Sequence, residues 1–431
     1  MIKKLFTIAM FLVLIQSSFG QSKLTIQDSI SIYFEEIKSA TKKNQAIWNM
    51  DLYGPILLVN PTTRNIYTNV ADSPGILRKA GRIFTGILPG NYNIANTAVN
   101  LGGRNWAMIM LPLPGNKQDR INLLAHELFH VSQPSLGFRL FNTENNHLDQ
   151  KDGRTYLRLE LEALKKAILS TNDISKKLHL TNALIFRKYR RSLYRGADTT
   201  ENLLELNEGI AEYTGFMISS RNQQQSKKYL VKSIKSLLNN PTFVRSFAYQ
   251  TIPIYGYLLS KTKRNWNKEI SISTDLTDYF IRQLNLTLPN DLKKTTSLIL
   301  SQYEGKIIIS EEESREEKTK RLIAAYKSKF IEQPHFEIVP EQMQVAFDPG
   351  NIKPIEDKGT VYPNMRITDN WGILTVTNGA LMSPGWDKIS VTIPLNVEER
   401  NIAGDGWTLE LKEGYTVVKE EKTGNYKLIK K

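Results

Sequence analysis

Residues 119–133 read DRINLLAHELFHVSQ, and the rest of the chain is interpreted around them. Asp119 is a favourable N-cap residue, so the pattern predicts a helix over this stretch. His126 and His130 are four positions apart, which brings both imidazoles to one face of that helix. Two such nitrogens can share one zinc ion, and Glu127 lies beside them as a candidate base for a metal-bound water. The alternative is a helix with two surface histidines and no metal.

A catalytic zinc ion usually has three protein ligands and one water, so the motif requires a further ligand. The whole chain contains 5 His and 0 Cys, which limits the choice. His147 lies in a polar, Asn-rich segment, His179 on an amphipathic segment, and His335 at a predicted domain junction. These surroundings are poor for a metal ligand, and a carboxylate is therefore the better candidate.

A suitable pair of carboxylates occurs in residues 207–213, which read NEGIAEY. On a predicted helix, Glu208 and Glu212 are one turn apart and share a face. Gly209 and Ala211 between them would let this helix approach another closely, as a metal shared between two helices requires. The alternative is an acidic pair that faces solvent and binds nothing.

Together, the HELFH and NEGIAE segments resemble the thermolysin-like and aminopeptidase N-like zinc metallopeptidases, the gluzincins. The resemblance is firm over these two helices and loose over residues 100–260. It implies that Glu208 is the third metal ligand and that Glu212 orients a zinc-bound imidazole. It also implies a zincin-like catalytic domain, a Zn²⁺ cofactor and a peptide or protein substrate.

The chain departs from the family in the spacing between the two segments. Here 77 residues separate His130 from Glu208, many more than in familiar members. We predict a helical insert at about residues 150–200 to occupy the gap. Glu160 and Glu162 lie within that insert and are the alternative ligands.

A second departure concerns the segment before the motif helix. Aminopeptidase N-like enzymes carry a G-x-M-E-N segment whose carboxylate holds a free amine, and residues 103–108 (GRNWAM) contain no carboxylate. This difference argues against aminopeptidase activity. By the resemblance, the strand at 106–112 would form the sheet edge along which an extended peptide pairs. An ordinary apolar strand is the alternative.

A hydroxyl or imidazole near the metal is expected to stabilise the developing oxyanion. Residues 247–261 (FAYQTIPIYGYLLSK) follow the Glu208 helix, in the order in which aminopeptidase N-like enzymes supply their tyrosine. Tyr249 is the first candidate and Tyr255 the second. Tyrosines packed in a helical core are the alternative.

The arrangement of periodic segments predicts an α+β protein. Short strands at 55–60, 65–69 and 106–112 precede a long region of amphipathic helices. An acid-first, base-last run at 311–321 is typical of a helix start. After about residue 333, alternating segments between Gly, Asn and Pro turns predict an all-β module. We therefore expect a mostly helical, zincin-like domain with a small N-terminal sheet at 21–333, and a β-rich accessory domain at 334–431.

Residues 1–20 have the layout of a secretory signal peptide. Lys3 and Lys4 precede an apolar run at 5–15, and Gly20 offers a small residue for cleavage. No cysteine follows for a lipid anchor, and no later segment is apolar enough to cross a bilayer. We expect a secreted or periplasmic protein without a membrane span.

Charge and cysteine content narrow the function classes further. The absence of cysteine excludes disulfide scaffolds, thiolate nucleophiles and iron–sulfur clusters. The net charge is +14, but no Lys/Arg block with interleaved aromatics predicts a nucleic-acid partner. The excess of positive charge is explained either by attraction to anionic envelope surfaces or by charge that is spread over a solvated surface.

These observations favour an exported zinc metallopeptidase in which Glu127 activates the attacking water. Two alternatives stay open on the sequence. One is a non-enzymatic envelope binding protein with a structural or vestigial zinc site, although such a site needs no base at position 127. The other is a zinc hydrolase that acts on a non-peptide amide or ester.

Overall fold

The computed structural model describes residues 25–72, 75–90, 92, 94–138, 143, 145–348 and 351–431. The signal-peptide prediction at 1–20 lies outside these residues. Internal contacts divide the described chain into a first unit, residues 25–45 and 51–131, and a second unit, residues 46–50 and 132–431. Within the described ranges, no helix combines the length and the apolar character needed to cross a membrane.

The first unit is a mixed six-stranded sheet with two helices, and it includes the predicted N-terminal strands. Its elements are α1 (Ile26–Lys43), β1 (Ile56–Val59), β2 (Asn65–Thr68), β3 (Arg78–Ala80), β4 (Ile83–Ile87), β5 (Thr97–Leu101), β6 (Arg104–Met110) and α2 (Lys117–Ser132). The strand order is β3-β4-β2-β1-β6-β5, in which β1 and β6 are parallel and the other pairs antiparallel.

The prediction that the strand at 106–112 forms a sheet edge is wrong. That strand is β6, which lies between β1 and β5. The reason is a tight hairpin: Gly102 and Gly103 both have positive φ, at 61° and 75°, and pair Leu101 with Arg104. Two consecutive residues with positive φ are typical of the turn that joins twisted antiparallel strands. The hairpin makes β5 the edge strand on this side.

The second unit begins with a layer of helices that confirms most of the predicted helical segments. Its helices are α3 (Lys151–Leu169), α4 (Asp173–Ser192), α5 (Ala197–Leu204), α6 (Ile210–Ile218), α7 (Gln223–Leu238), α8 (Ala248–Leu259), α9 (Leu276–Gln283), α10 (Leu292–Ile299) and α11 (Gly305–Lys327). One correction concerns residues 311–321, which lie in the middle of α11 rather than at a helix start. Glu311 and Glu312 there pair with Arg158 of α3, so the charge run joins two helices.

The C-terminal residues form an all-β region, as predicted, and the change from helix to strand lies at the expected position, because the first strand begins at His335. The region contains β7 (His335–Ile338), β8 (Gln344–Phe347), β9 (Lys353–Pro354), β10 (Thr360–Tyr362), β11 (Met365–Asp369), β12 (Gly372–Val376), β13 (Ala380–Met382), β14 (Ile389–Thr392), β15 (Pro394–Val397), β16 (Asn401–Gly404), β17 (Trp407–Leu411), β18 (Tyr415–Lys419) and β19 (Tyr426–Lys430). The coarse α+β class is thereby confirmed.

Two sheets enclose the core of this β region. Their strand orders are β18-β19-β7-β14-β13-β10-β9 and β15-β16-β17-β12-β11-β8. Phe336 and Val391 from the first sheet pack with Leu374 and Leu409 from the second, around the fully buried Trp371. Alternation of inward apolar and outward polar residues along β11, β12 and β17 produces this sandwich.

A buried network of charges holds the helical layer together. Its arginines and glutamates are balanced in number, and their side chains are at most 5% exposed: Arg187, Arg190, Arg191, Glu160, Glu201 and Glu205. Glu160 of α3 accepts from Arg187 at 3.1 Å and from Arg190 at 2.5 Å. Glu201 of α5 accepts from Arg190 at 3.0 and 2.7 Å and from Arg191 at 2.9 Å.

Burial acts differently on the glutamates of this network. Burial raises the pKa of the Glu201 carboxyl, but Arg190 and Arg191 outweigh it and hold that pKa well below its usual range. For Glu205, burial outweighs the attraction of Arg187 and Arg191, and the pKa is raised. Buried ion pairs of this kind are strongly destabilised when one partner is removed, because the other charge is left uncompensated.

We expect Glu160→Gln to lower the free energy of unfolding by about 3–5 kcal/mol, because two buried arginines lose a charged partner. Glu162→Gln is the matched control on the same helix, since Glu162 pairs with Lys165, whose side chain is 23% exposed. That change should cost at most about 1 kcal/mol. Urea unfolding at neutral pH measures both, and equal losses would contradict the assigned role of the network.

Candidate metal centre

Helix α2 carries the HELFH motif on its buried face. His126, Glu127 and His130 are 3%, 4% and 8% exposed. The helix begins earlier than predicted, because Asn116 rather than Asp119 caps it: the Asn116 Oδ1 accepts from two backbone N–H groups, at 2.9 and 3.1 Å. The start of α2 is therefore set by a side-chain cap about three turns before the motif.

A buried ion pair anchors the same helix within the first unit. Arg120 of α2 donates to the Glu36 carboxylate of α1 through Nε at 3.0 Å and Nη2 at 2.7 Å. The Arg120 guanidinium also lies over the Tyr33 ring, 4.1 Å from its centroid. These contacts fix α2 against α1, so that the motif is presented from a rigid element.

The two motif histidines face each other across one helical turn. Their Nε2 atoms are 3.0 Å apart, and the ring centroids are 4.7 Å apart with an interplanar angle of 75°. The four-residue spacing thus brings both nitrogens to a common point, as the sequence predicts.

Glu208 lies in a π-helical turn, Glu205–Gly209, between α5 and α6. The Ile210 N–H donates to the Glu205 carbonyl five residues earlier. The helix predicted to carry residues 207–213 is therefore interrupted at this point. Single π-helical turns within α-helices occur frequently at functional sites.

The glutamate side chain is held by a tyrosine of α8. The Tyr249 hydroxyl donates to Glu208 Oε2 at 2.6 Å. Close packing of the turn against α8 makes this contact reachable: a Cβ at Gly209 would lie 2.6 Å from Ile252 Cγ1 and 3.1 Å from the Ala248 carbonyl oxygen. Glycine in the NEGIAE segment thus permits a close approach, as predicted, and the neighbour is α8.

Glu212 lies one turn further along, in α6. Its Oε1 accepts from the Tyr229 hydroxyl of α7 at 3.0 Å. Tyr229 is stacked on Phe216 with ring centroids 5.7 Å apart, and the Arg221 guanidinium lies 3.8 Å from the Tyr229 centroid. This aromatic cluster fixes the orientation of the Glu212 carboxylate.

The three predicted ligands belong to different units: His126 and His130 lie in the first unit and Glu208 lies in the second. Within either unit, no set of three or more described His, Asp or Glu residues is grouped closely enough to hold a metal ion. Two imidazole nitrogens and one carboxylate oxygen are a donor set of the kind that zinc prefers.

The alternative ligands are occupied by other partners. Glu160 is fully buried and accepts from Arg187, Arg190 and the Tyr255 hydroxyl, the last at 3.0 Å. Glu162 pairs with Lys165. Tyr255 is itself fully buried, and burial together with Glu160 raises its pKa well above the usual range. The structure therefore uses these groups within the protein core.

The three remaining histidines are also bound elsewhere. His147 Nε2 lies 2.8 Å from Glu201 Oε1, and His179 Nδ1 lies 2.8 Å from the Tyr303 hydroxyl. His335 Nδ1 lies 2.8 Å from the Gln333 carbonyl. Each histidine therefore has a partner in its own region of the second unit.

Sequence reasoning did not identify Glu205 and Thr251 as neighbours of the site. Thr251 of α8 donates to Glu205 Oε1 at 2.6 Å. The sequence of α4 does indicate that buried acidic partners exist. Arg187, Arg190 and Arg191 are spaced i, i+3 and i+4 and lie on the buried face of this helix. Arginines at such positions require buried acidic partners, and Glu205 is one of them.

We expect Gly209→Ala to lower the free energy of unfolding by about 1–3 kcal/mol, because the new methyl group cannot fit between the π-helical turn and α8. The same change should weaken metal binding through displacement of Glu208. Gly115→Ala is the control, since nothing lies within 4 Å of a Cβ there. Thermal unfolding and a zinc titration test this, and wild-type behaviour of Gly209→Ala would contradict it.

Comparison with protein-family models, with curated proteins and with solved structures finds no match to this chain.

Proposed function

We propose that this chain is a zinc-dependent metallopeptidase whose metal ion is held by His126, His130 and Glu208. The observation that carries the proposal is the pair of imidazoles that face each other on α2, with Nε2 atoms 3.0 Å apart. At Zn–N distances of about 2.0–2.1 Å, a tetrahedral ion separates two imidazole nitrogens by about 3.3 Å. The 3.0 Å between the two Nε2 atoms is close to that value.

Each residue then has a defined task. Zinc at this site would supply Lewis-acid activation of a water molecule and of a scissile carbonyl group. Glu127 accepts the proton of the attacking water and passes it to the leaving amine. Glu127 is 4% exposed, so this proton transfer would take place away from bulk water.

Tyr249 is our choice for the group that assists the reacting carbonyl. Its hydroxyl lies 2.6 Å from the ligand residue Glu208, whereas the Tyr255 hydroxyl is engaged by the buried Glu160. A hydroxyl beside a metal ligand is placed to donate to a developing oxyanion, or to orient the ligand before substrate binds. We assign Tyr255 to the core.

The proposal includes the fold and the setting in which the enzyme works. The HELFH helix, the preceding mixed sheet and a later helix with the third ligand favour a zincin-like catalytic body. The signal-peptide layout of residues 1–20 favours secretion or the periplasm. The absence of a carboxylate in residues 103–108 favours cleavage away from a free N-terminus.

The purified mature protein should bind about one zinc ion per chain. Glu208→Ala should lose most of this affinity, because two imidazoles alone leave too few ligands. Glu212→Ala should retain zinc with about 10–100-fold weaker affinity, as expected for a residue that orients a ligand. Glu162→Ala is the control, because the Glu162 carboxylate forms an ion pair with Lys165. This variant should bind zinc like the wild type.

Elemental analysis and a zinc titration measure these affinities. A wild-type content far below one equivalent would exclude the metal site. Loss of zinc binding in Glu162→Ala, with zinc binding retained in Glu208→Ala, would assign the third ligand to α3. The family resemblance at residues 207–213 would then be a coincidence.

Glu127→Gln should bind zinc like the wild type and lose hydrolysis by several orders of magnitude, because it removes the base and keeps every ligand. Mass spectrometry of a peptide mixture with free and acetylated N-termini measures cleavage. We expect internal cleavage of both kinds of peptide by the wild type.

Wild-type rates in the Glu127→Gln variant would contradict this mechanism. Zinc binding without cleavage of any peptide would favour the two alternatives. Hydrolysis of simple ester or amide substrates would then identify a non-peptide zinc hydrolase, and its absence would identify a binding protein.

A further inference from the structure

We propose that Thr251 and Glu205 act as a positioning pair, which holds the π-helical turn Glu205–Gly209 and thereby presents Glu208 to the metal ion. The proposal rests on the proposed zinc site, but it concerns residues that bind no metal themselves. It assigns a specific task to one end of the buried charge network.

Glu205 is fully buried at the first position of the turn and is held from two sides. On one side, its Oε2 accepts from Arg187 and, at 3.0 Å, from Arg191 of α4. On the other side, its Oε1 accepts from the Thr251 hydroxyl of α8 at 2.6 Å. The carboxylate therefore joins α4 to α8 through the start of the turn.

Two hydrogen bonds then connect the turn to α8. Thr251 bonds to Glu205, and Tyr249, two residues earlier, bonds to Glu208 at the same distance of 2.6 Å. The close contact with α8 at Gly209 lies next to Glu208, at the last residue of the turn. A third connection comes from Gln133, whose side chain donates to the Asn207 carbonyl at 2.9 Å. The turn is thus held at both ends and in the middle.

Such restraint is needed because a π-helical turn is less favourable than the regular α-helix around it. Relaxation to α-helical hydrogen bonding would change the register by one residue, which is a rotation of about 100° around the helix axis. The Glu208 side chain would then leave the direction in which Tyr249 now holds it. The Thr251–Glu205 bond opposes this relaxation.

The same network offers a control that separates positioning from stability. Thr277 of α9 is also a buried threonine, 1% exposed, and its hydroxyl accepts from Arg187 at 2.9 Å and from Arg191 at 2.5 Å. It therefore bonds to the same arginines as Glu205. Thr277 makes no hydrogen bond to the π-helical turn, so its loss should weaken the network without releasing Glu208.

The experiment compares Thr251→Val, Thr251→Ser and Thr277→Val in the full mature chain. Zinc affinity is measured by competition with a chromophoric chelator, ligand geometry by the visible spectrum of the Co²⁺-loaded protein, and stability by thermal unfolding of the metal-free form. We expect Thr251→Val to weaken zinc binding about 10-fold and to alter the Co²⁺ spectrum. Thr251→Ser, which keeps the hydroxyl, should restore both.

Thr277→Val should lower the unfolding temperature like Thr251→Val and leave zinc affinity and the Co²⁺ spectrum unchanged. Equal effects of the two valine variants on zinc, or wild-type zinc binding in Thr251→Val, would overturn the proposal. If Thr251→Val does not fold, Thr251→Ala takes its place with the same expectation. A wild-type protein that binds no zinc would instead remove the proposed function, and this proposal with it.

Discussion

Three arginines on one face of α4 are buried against three glutamates from α3, α5 and the π-helical turn, and the local geometry around Glu208 depends on this arrangement. Charges removed from water are costly unless they are paired and hydrogen-bonded. Arg187, Arg190 and Arg191 therefore require acidic partners at fixed positions. Because Glu205 is one of those partners, the start of the turn that carries Glu208 is fixed by the same requirement.

Hydrogen-bond partners distinguish the two carboxylates that the sequence offers as ligands, Glu160 and Glu208. Glu160 is bound by two arginines and a tyrosine hydroxyl, so that ligation of a metal would leave buried positive charge uncompensated. Glu208 accepts a hydrogen bond from a neutral donor, the Tyr249 hydroxyl, at 2.6 Å. A hydrogen bond of this kind orients a carboxylate and is compatible with metal ligation.

Contacts within the first unit fix the position of the HELFH motif. A side-chain cap at Asn116 begins α2, and the Arg120–Glu36 pair ties α2 to α1. Parallel pairing of β1 with β6 places the chain just before this helix in the centre of the sheet. These contacts are local to the unit, so that the two histidines are presented by a helix with little freedom to move. Preorganisation of this kind reduces the conformational entropy that is lost when a metal ion binds.

Local sequence determined the motif helix, the strands of the N-terminal sheet and the all-β C-terminal region, because their hydrophobic periods and turn residues act over a few positions. His126 and His130 share a face for the same reason: four residues make about one turn. The family resemblance of the NEGIAE segment predicts Glu208 as a metal ligand, and this stays a prediction. Only the tertiary structure decided that β6 is internal, that Glu160 belongs to the core and that Glu208 lies in a π-helical turn. Each of these depends on partners far away in the chain, such as Arg187 for Glu160 and Thr251 for Glu205, and no local pattern encodes which distant charge a buried side chain will meet.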